Sequence, residues 1–297
     1  MRIATKEVSF QSEAEMLVGR IYLPPDSKKG NLRPAAVLVH GLGSGQKAMG
    51  GAARDLARRG VVALTFDQRG HGKSSGAYTG DSSSDVRAAL RFMAERDDVD
   101  ASRIGIVGHS SGARDAILAC ARWDGYAALV CSSTASIISS EEPGAAEEFY
   151  RRTLGSRRPG RPNEPPDLRV YPRDGALPWI DGMATRAVSR MWGFFKGYRL
   201  RVRWQPTLQT WGTAQAGIAI LDVPERPTLF FHCEGDKSVP VMASEILYQK
   251  FSGPKDLIVV PRGWHAAPIA RASVRAQWVN WLVNALTITT GANGDPD

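Results

Sequence analysis

The sequence predicts a protein of the α/β class, with helices on both faces of a mostly parallel β-sheet. Two observations carry this prediction. Continuous apolar runs at 34–40, 61–67 and 103–108 are typical of strands that are buried on both faces. Segments with helical spacing alternate with these runs, as expected where a helix returns the chain to the start of the next parallel strand. Of the 297 residues 43% are hydrophobic and 23% are charged, a composition that favours a folded core over a disordered chain.

Each element has its own signal in the sequence. Residues 3–9 and 15–23 predict two short strands that form a hairpin. Gly60 ends a helix that follows the glycine-rich loop 41–45, and capping residues at 81–84 begin a helix that extends to 99. The remaining elements are strands at 34–40, 61–67, 103–108, 126–131, 227–233 and 256–260, a polar loop at 67–80, and helices at 110–123, 241–251 and near 267–287.

The alternation lapses between about residues 132 and 224, which predicts an insertion within one α/β domain. Residues 155–179 are rich in Pro, Arg and Gly and predict an extended or mobile segment. Apolar residues at 184, 188, 191, 192 and 195 then share one helix face, which favours packing over the sheet rather than binding to a membrane surface. The expected organisation is a main domain formed by 1–131 and 225–290, a helical insertion at 132–224 and a flexible tail at 291–297.

The net charge and the cysteine content limit the classes of partner and the cellular compartment that we expect. Lys and Arg number 38 against 30 Asp and Glu, a net charge of +8, but the basic residues are spread along the chain without a recognition motif, so no nucleic-acid partner is expected. Cys120, Cys131 and Cys233 do not make a disulfide framework and fit a cytoplasmic protein with reduced thiols. We expect no signal peptide, no membrane span and no metal site, because the sequence has no suitable apolar run and no His, Cys, Asp or Glu cluster with ligand spacing.

One motif points to a different class of protein. Gly43, Gly45 and Ala48 fit G-x-G-x-x-A between a predicted strand and helix, and Asp67 ends the next strand about 20 residues on, as in a dinucleotide-binding fingerprint. Two observations count against this interpretation: two other strands precede the supposed first strand, and a long polar loop rather than a helix follows Asp67. An NAD(P)-dependent reductase is therefore a minor alternative, and no cofactor is expected.

A motif with a better structural context surrounds Ser110. Gly108-His109-Ser110-Ser111-Gly112 lies between a predicted strand and a predicted helix. A serine nucleophile needs a sharp strand-to-helix turn that lifts its hydroxyl clear of the sheet, and glycines two residues before and after it remove side chains that would collide in that turn. The amides at the start of the following helix also suit a developing oxyanion. The motif therefore predicts Ser110 as a nucleophile.

A serine hydroxyl needs a base to take its proton, and the base is expected in a loop late in the chain. His265 follows the last predicted strand and meets this expectation. The acid that orients the base is expected after the preceding strand, where Asp236 is the first choice and Glu234 the reserve. His232 lies within that strand and is interpreted as a packed or hydrogen-bonded core residue.

Five segments in order carry a wider resemblance: VLVHGLGSG, FDQRGHGKS, GIVGHSSG, EGDKSVP and GWHAAP. They resemble the α/β-hydrolase superfamily, in particular its dienelactone hydrolase and carboxylesterase-like members, from about residue 34 to 285 except the insertion. The resemblance implies the α/β-hydrolase fold, a mostly parallel eight-stranded sheet flanked by helices, with the insertion as a helical cap. In similar proteins Asp67, Arg69 and His71 belong to a mainly structural loop, and we assign them no catalysis.

The resemblance also implies roles for individual residues. Ser110 is expected as the nucleophile, Asp236 as the acid and His265 as the base. The backbone N–H groups of Leu42 and Ser111 are expected to form the oxyanion hole, which reassigns the glycine-rich loop from a pyrophosphate to an oxyanion. The expected reaction is hydrolysis of a carboxylic ester, thioester or activated amide through an acyl-enzyme. Acyl transfer, peptide cleavage, C–C cleavage and a non-catalytic binding protein are the alternatives.

Two hypotheses concern the substrate. Some tryptophans are candidates for lining an apolar acyl or aromatic pocket, although packing is the default interpretation of each: Trp192, Trp211 and Trp264. Three alternating arginines are candidates for binding a carboxylate or phosphate group of the substrate, although a solvated face is favoured: Arg199, Arg201 and Arg203. The expected partner is a small-molecule acyl substrate, and a homodimer is left open.

Overall fold

An eight-stranded sheet forms the centre of the structure, a computed structural model that describes residues 3–26, 30–135, 200–203, 206–207, 210–211 and 216–288. The strands are β1 (Ala4–Ser12), β2 (Glu15–Leu23), β3 (Arg33–Val39), β4 (Val62–Phe66), β5 (Val99–His109), β6 (Ala128–Ser132), β7 (Thr228–Cys233) and β8 (Lys255–Val260). The described helices are α1 (Gln46–Ala57), α2 (Ser83–Ala94), α3 (Ser111–Arg122), α4 (Ala216–Ala219), α5 (Met242–Lys250), α6 (Ala267–Ala270) and α7 (Ala272–Ile288), with a 3-10 turn at Ile220–Asp222.

The strands are arranged in the order β1-β2-β4-β3-β5-β6-β7-β8. β1 pairs antiparallel with β2, and β2 pairs antiparallel with β4. The pairs from β4 to β8 are all parallel. The predicted mostly parallel sheet of eight strands is therefore confirmed, and the N-terminal hairpin forms its antiparallel edge.

Both faces of the central strands are buried, which explains their continuous apolar runs. On β3, Val37 packs in a core cluster with Ile106 of β5, whereas the neighbouring Leu38 packs in a second cluster with Val107. Helices α2 and α3 contribute to the first cluster, and α1 and α7 contribute to the second. Side chains alternate between the faces of a strand, so apolar residues predominate along the whole of such a strand when helices cover both faces.

The last predicted helix is two helices in the structure. The chain is extended at Arg271, with φ −90° and ψ 115°, between α6 and α7. The carbonyl groups that this break leaves without helical partners accept hydrogen bonds from α7: the Trp278 indole donates to Pro268 at 2.9 Å, and the Arg275 guanidinium donates to Ile269 at 2.7 Å. The helical spacing continues across 271, so the break depends on tertiary contacts that the spacing does not encode.

Much of the predicted insertion lies outside the described residues, including the segment 155–179 and the helix predicted over 184–195. Its described end packs into the main core, because Ala216, Ile220 and Val223 are buried in the cluster that α3 helps to form. Residues 200–203 form isolated bridges with the loop after β4, joining His71 to Leu200 and Tyr78 to Val202. These contacts attach the described parts of the insertion to the main domain at two places.

The three cysteines are buried and form no disulfide. Cys120 lies on α3, Cys131 on β6 and Cys233 at the end of β7. Burial raises the pKa of each thiol above its ordinary value, because an apolar surrounding disfavours the thiolate. Cys120 and Cys131 belong to the same core cluster, and Cys233 belongs to the other.

Asp67 holds the first turn of α1 although it lies 21 residues from it in the chain. The Gln46 backbone N–H donates to Oδ1 at 2.8 Å, and the Lys73 N–H donates to Oδ2 at 3.1 Å. The first turn of α1 contains no acidic residue of its own, so Asp67 supplies the negative charge that a helix N-terminus favours. A pyrophosphate would need this same helix end, so the contact counts against the dinucleotide-binding interpretation.

Replacing Asp67 by Ala is expected to lower the free energy of unfolding by about 2 kcal/mol, because two backbone N–H groups lose their acceptor. Urea unfolding followed by circular dichroism measures this loss. Asp67→Asn is the matched control: it keeps one acceptor oxygen and is expected to lose less. Equal stability of the Ala variant and the wild type would show that the contact contributes nothing.

Candidate active site

Ser110 lies in a sharp turn between β5 and α3. Its φ of 58° is in the left-handed region, which is unfavourable for a residue other than glycine. Both flanking glycines are required, since a Cβ at Gly108 would collide with the backbone of Ala113 and one at Gly112 would collide with the carbonyl of His40. The sequence therefore produces the strained turn that was expected around a nucleophilic serine.

The structure brings the three predicted residues of the triad together. Ser110 Oγ lies 2.9 Å from His265 Nε2, and His265 Nδ1 lies 2.7 Å from Asp236 Oδ2. Asp236 comes from the loop after β7 and His265 from the loop after β8. Parallel strands end at one edge of the sheet, which is why residues as far apart in sequence as 110 and 265 meet there. Glu234, the reserve acid, is exposed and takes no part in this arrangement.

The surroundings of Asp236 keep its carboxylate ionised. Oδ1 accepts hydrogen bonds from the backbone N–H groups of Ser238 at 2.8 Å and Val239 at 3.0 Å. Burial by itself would raise the pKa of Asp236, but donors from His232, His265 and Val239 outweigh burial and hold the pKa well below its ordinary value.

The ionised acid fixes the tautomer of His265. A carboxylate only accepts hydrogen bonds, so the nitrogen that faces Asp236, Nδ1, must carry the proton. In the neutral ring Nε2 is then an acceptor, and the Ser110 hydroxyl 2.9 Å away donates to it. This is the protonation state in which an imidazole can take a proton from a serine hydroxyl.

The predicted oxyanion hole contains a side chain that sequence reasoning missed. The Leu42 N–H donates to Ser111 Oγ at 2.6 Å. A Cβ at Gly41 would lie 3.0 Å from the Cβ of Ser110, so the backbone of this loop passes directly beside the turn. The Ser111 N–H is in the first turn of α3, where amides have no partner within the helix. Both predicted N–H donors therefore lie beside Ser110, but the Leu42 N–H already donates to the hydroxyl oxygen of Ser111.

Two buried histidines hold the loop that carries Leu42. The Gln68 N–H donates to His40 Nε2 at 3.1 Å, and the Gly43 N–H donates to His71 Nε2 at 3.2 Å. Burial lowers the pKa of His40 to about 4 and that of His71 to about 3. Both rings are neutral at pH 7 and can accept at Nε2 only in that state. These contacts agree with a structural role for His71.

The other polar residues of the loop after β4 also make structural contacts. Arg69 donates to Asp85 through its backbone N–H at 2.8 Å, through Nε at 3.0 Å and through Nη2 at 2.7 Å. Asp85 is fully buried on α2, so this pair ties the loop to the helix layer. Arg69 and Asp67 thus have structural partners, as expected for residues to which no catalysis is assigned.

Two further histidines lie next to the triad. The His109 ring centroid is 4.9 Å from that of His265, and His109 Nδ1 is 3.2 Å from Ser132 Oγ. His232 is fully buried, and its Nε2 lies 3.4 Å from Asp236 Oδ2. The sequence predicted His232 as a core residue, and its burial agrees with that interpretation. Its contact with the acid was missed; its position four residues before Asp236 was the available signal.

The candidate substrate-binding tryptophans have different surroundings. Trp211 is buried, and its indole N–H donates to the Tyr78 hydroxyl at 3.3 Å, which favours the packing interpretation. Trp264 is 52% exposed and directly precedes His265, so its position fits substrate contact better. Trp192 lies outside the described residues.

The described arginines of the insertion face solvent. Arg201 and Arg203 are exposed, and Arg201 donates to the Ser74 carbonyl at 2.6 Å. This favours the solvated-face interpretation for both. Arg199 lies outside the described residues. Among the residues that the structure describes, no group of three or more His, Cys, Asp or Glu side chains is arranged to hold a metal ion, and no helix has the length and apolar character to cross a membrane.

The strand order and the helices on both faces are those of the α/β-hydrolase fold. A model of the alpha/beta hydrolase family matches residues 36–277, and the chain belongs to that family. This confirms the superfamily to which the five segments pointed. A Bacillus subtilis protein, YqkD, is 28% identical over 209 residues, which cover 68% of this chain and 55% of YqkD. A Mycobacterium tuberculosis protein is 30% identical over 115 residues, or 38% of this chain and 40% of that protein. The chain thus spans about half, or less, of these curated relatives.

Solved structures support the fold. GrgF from a Penicillium species has a TM-score of 0.70 at 17% identity, over 96% of this chain and 99% of GrgF. The hypothetical protein PA2218 from Pseudomonas aeruginosa has a TM-score of 0.68 at 21% identity, over 95% and 94% of the two chains. Est1E from Butyrivibrio proteoclasticus, solved with ferulic acid, has a TM-score of 0.64 at 17% identity, over 95% and 97%.

Acid is expected to destabilise the protein through His40 and His71. Their pKa values of about 4 and about 3 lie below the ordinary 6.5, so between these values the unfolded chain binds more protons than the folded protein. The stability that these two neutral rings contribute is therefore fully present above pH 6.5 and is lost as the pH falls from 6.5 through about 4 for His40 and about 3 for His71. Urea unfolding at a series of pH values measures this slope.

His71→Gln is the control for this prediction, because glutamine keeps an acceptor for Gly43 but does not titrate. Unfolding of this variant is expected to take up as much as one proton fewer. The slope of its free energy of unfolding against pH is then smaller by up to about 1.4 kcal/mol per pH unit. An unchanged slope would contradict a neutral, buried His71.

Proposed function

We propose that the protein is a serine hydrolase that cleaves a carboxylic ester, thioester or activated amide through an acyl-enzyme on Ser110. The observation that carries this proposal is the continuous hydrogen-bonded series from Ser110 Oγ through His265 to the ionised Asp236, at 2.9 and 2.7 Å. The base is within bonding distance of the nucleophile, and the acid orients the base.

In the proposed reaction His265 Nε2 accepts the Ser110 hydroxyl proton as Oγ bonds to the acyl carbon, and the carbonyl oxygen becomes an oxyanion. The tetrahedral intermediate collapses to an acyl-enzyme, and His265 gives its proton to the leaving alcohol, thiol or amine. Water then loses a proton to His265 and attacks the acyl-enzyme. A carboxylic acid leaves and the Ser110 hydroxyl is restored. Asp236 stays ionised and stabilises the imidazolium in both steps.

The oxyanion is proposed to bind the N–H groups of Leu42 and Ser111, where loss of one donor typically costs about 3–4 kcal/mol of barrier. An oxyanion on Leu42 must first displace Ser111 Oγ, which accepts from the same N–H at 2.6 Å. The Ser111 side chain therefore has to rotate before or during acylation. This rotation frees the Leu42 N–H to donate to the oxyanion.

The similar structures support a hydrolase without selecting the acyl group. Est1E is named as binding ferulic acid, and a carboxylic acid is the product class that hydrolysis on Ser110 would release. Another neighbour is a 2,6-dihydroxy-pseudo-oxynicotine hydrolase, and a third is an acylaminoacyl peptidase from Pyrococcus horikoshii. Nitrophenyl esters of varied acyl length test the range of acyl groups, and product analysis with added amines or alcohols separates hydrolysis from acyl transfer.

Ser110→Ala is expected to keep the fold and to lose both esterase activity and covalent labelling by a fluorophosphonate, because the attacking oxygen is absent. Mass spectrometry of the labelled wild type locates the modified residue. Ser133→Ala is the matched control: Ser133 also has a positive φ, of 46°, and its buried hydroxyl has no partner among the described residues. Labelling of the wild type at a residue other than Ser110 would overturn the proposed nucleophile.

Ser111→Ala is expected to raise kcat/KM for a nitrophenyl ester about fivefold, because the oxyanion no longer competes with a hydroxyl for the Leu42 N–H, a contact worth about 1 kcal/mol. Ser111→Thr keeps the hydroxyl and is expected to stay close to the wild type. An unchanged kcat/KM for the Ala variant, or a lower one, would contradict the displacement of this hydroxyl.

A further inference from the structure

His232 makes three polar contacts although it is fully buried at the end of β7. Its Nε2 lies 3.0 Å from the Val239 carbonyl oxygen and 3.4 Å from Asp236 Oδ2. Its Nδ1 lies 2.7 Å from Ser244 Oγ, on the fully buried face of α5. A buried imidazole with a partner at both nitrogens is held in one orientation, so the identity of each partner decides where its proton lies.

The partners of His232 determine its tautomer. Nε2 faces a backbone carbonyl and an ionised carboxylate, and both are acceptors only, so Nε2 must carry a proton. In the neutral ring Nδ1 is then the acceptor, and the Ser244 hydroxyl donates to it. Ser244 therefore favours the tautomer that presents an N–H to Asp236.

Asp236 is held from two sides by this arrangement. The loop after β7 supplies two backbone N–H donors to Asp236 Oδ1. Asp236 Oδ2 lies between two imidazoles, 2.7 Å from His265 Nδ1 and 3.4 Å from His232 Nε2. Val239 links the two groups, since its N–H donates to Asp236 and its carbonyl is the nearer acceptor of His232. The N–H of His232 thus stabilises negative charge on the oxygen to which His265 is bound, and its effect adds to the lowering of the pKa of Asp236.

We propose that His232 is a positioning residue for the reaction: its Nε2–H orients and stabilises the Asp236 carboxylate, and Ser244 sets its tautomer. The proposal rests on the proposed function, because it assigns His232 a role through the acid and base of that site. His232 touches neither the nucleophile nor the acyl group. Two other titratable groups face this acid, His109 from β5 and Cys233 from the end of β7.

Losing the His232 donor has a defined consequence for His265. A carboxylate with one donor fewer carries more effective negative charge, so it holds the protonated form of His265 more strongly. The acid limb of the kcat/KM profile against pH, which reports the free enzyme's base, is then expected to move to higher pH by about half to one unit. A residue that only fills space would not move this limb.

The experiment compares His232→Gln with His232→Met in the full chain. Glutamine places an amide N–H2 near the position of Nε2, and methionine has a similar length without a donor. We expect the Gln variant to keep kcat/KM within about threefold of the wild type with an unchanged acid limb. We expect the Met variant to lose about tenfold in kcat, with KM little changed, and to show the shifted acid limb. Equal profiles for the two variants would overturn the proposal.

Two further measurements decide the proposal if the Met variant fails to fold. Ser244→Ala keeps the ring and is expected to shift the acid limb in the same direction by a smaller amount; no shift would count against the role of Ser244. Long-range 1H–15N NMR of the wild type is expected to show His232 protonated at Nε2, and protonation at Nδ1 alone would overturn the proposal.

Failure of the proposed function gives a different result. In that case the wild type neither hydrolyses nitrophenyl esters nor reacts with the fluorophosphonate at Ser110. The tautomer of His232 still reports whether Nε2, the nitrogen that faces both Val239 and Asp236, carries the proton. An active wild type with the wrong tautomer would leave the proposed function intact and remove the role of His232.

Discussion

The turn at Ser110 is the constraint on which the rest of the site depends. A positive φ at a serine costs free energy, and the sheet beside it supplies the compensation. The Ser110 N–H donates to the Ser132 carbonyl at 2.9 Å, and the Ser110 carbonyl accepts from the Ala135 N–H at 3.2 Å. Because β5 and β6 are parallel and in register up to His109 and Ser132, the turn is fixed by the strand pairing itself. Leu42, Asp236 and His265 approach this fixed point from the loops that follow β3, β7 and β8 of the same sheet.

Burial decides the protonation of the groups around that point. His40 and His71 lose their charge because burial disfavours the protonated ring, and they become acceptors that hold the loop of Leu42. Asp236 is also buried, yet several donors face it, so it keeps its charge. Neutral acceptors on one side of Ser110 and an ionised carboxylate behind His265 on the other give the two sides different chemistry. Burial removes the charge of the two histidines, whereas the donors around Asp236 outweigh the same effect of burial.

The sequence determined the features that depend on local pattern or on chain order. The apolar runs located the strands, and the order Ser110, Asp236, His265 along the chain selected the three residues that meet in the structure. Features that depend on strand register and loop shape could not be predicted from the sequence. The helix break at Arg271 arises from contacts with Trp278 and Arg275, seven and four residues further along, and helical spacing does not register them. The hydroxyl of Ser111 and the ring of His232 were visible as residues, but which atoms they face depends on neighbouring strands and loops.

The three buried cysteines allow opening of the core to be measured by alkylation of their thiols. Cys120 and Cys131 lie in one core cluster and Cys233 in the other, and burial raises the pKa of each thiol. Thiol reagents attack thiolates that they can reach, so we expect the folded chain to react slowly with maleimides and the unfolded chain to react at three sites. The rate of alkylation therefore measures how often the core opens, and one cysteine introduced on the surface accepts a dye without background labelling.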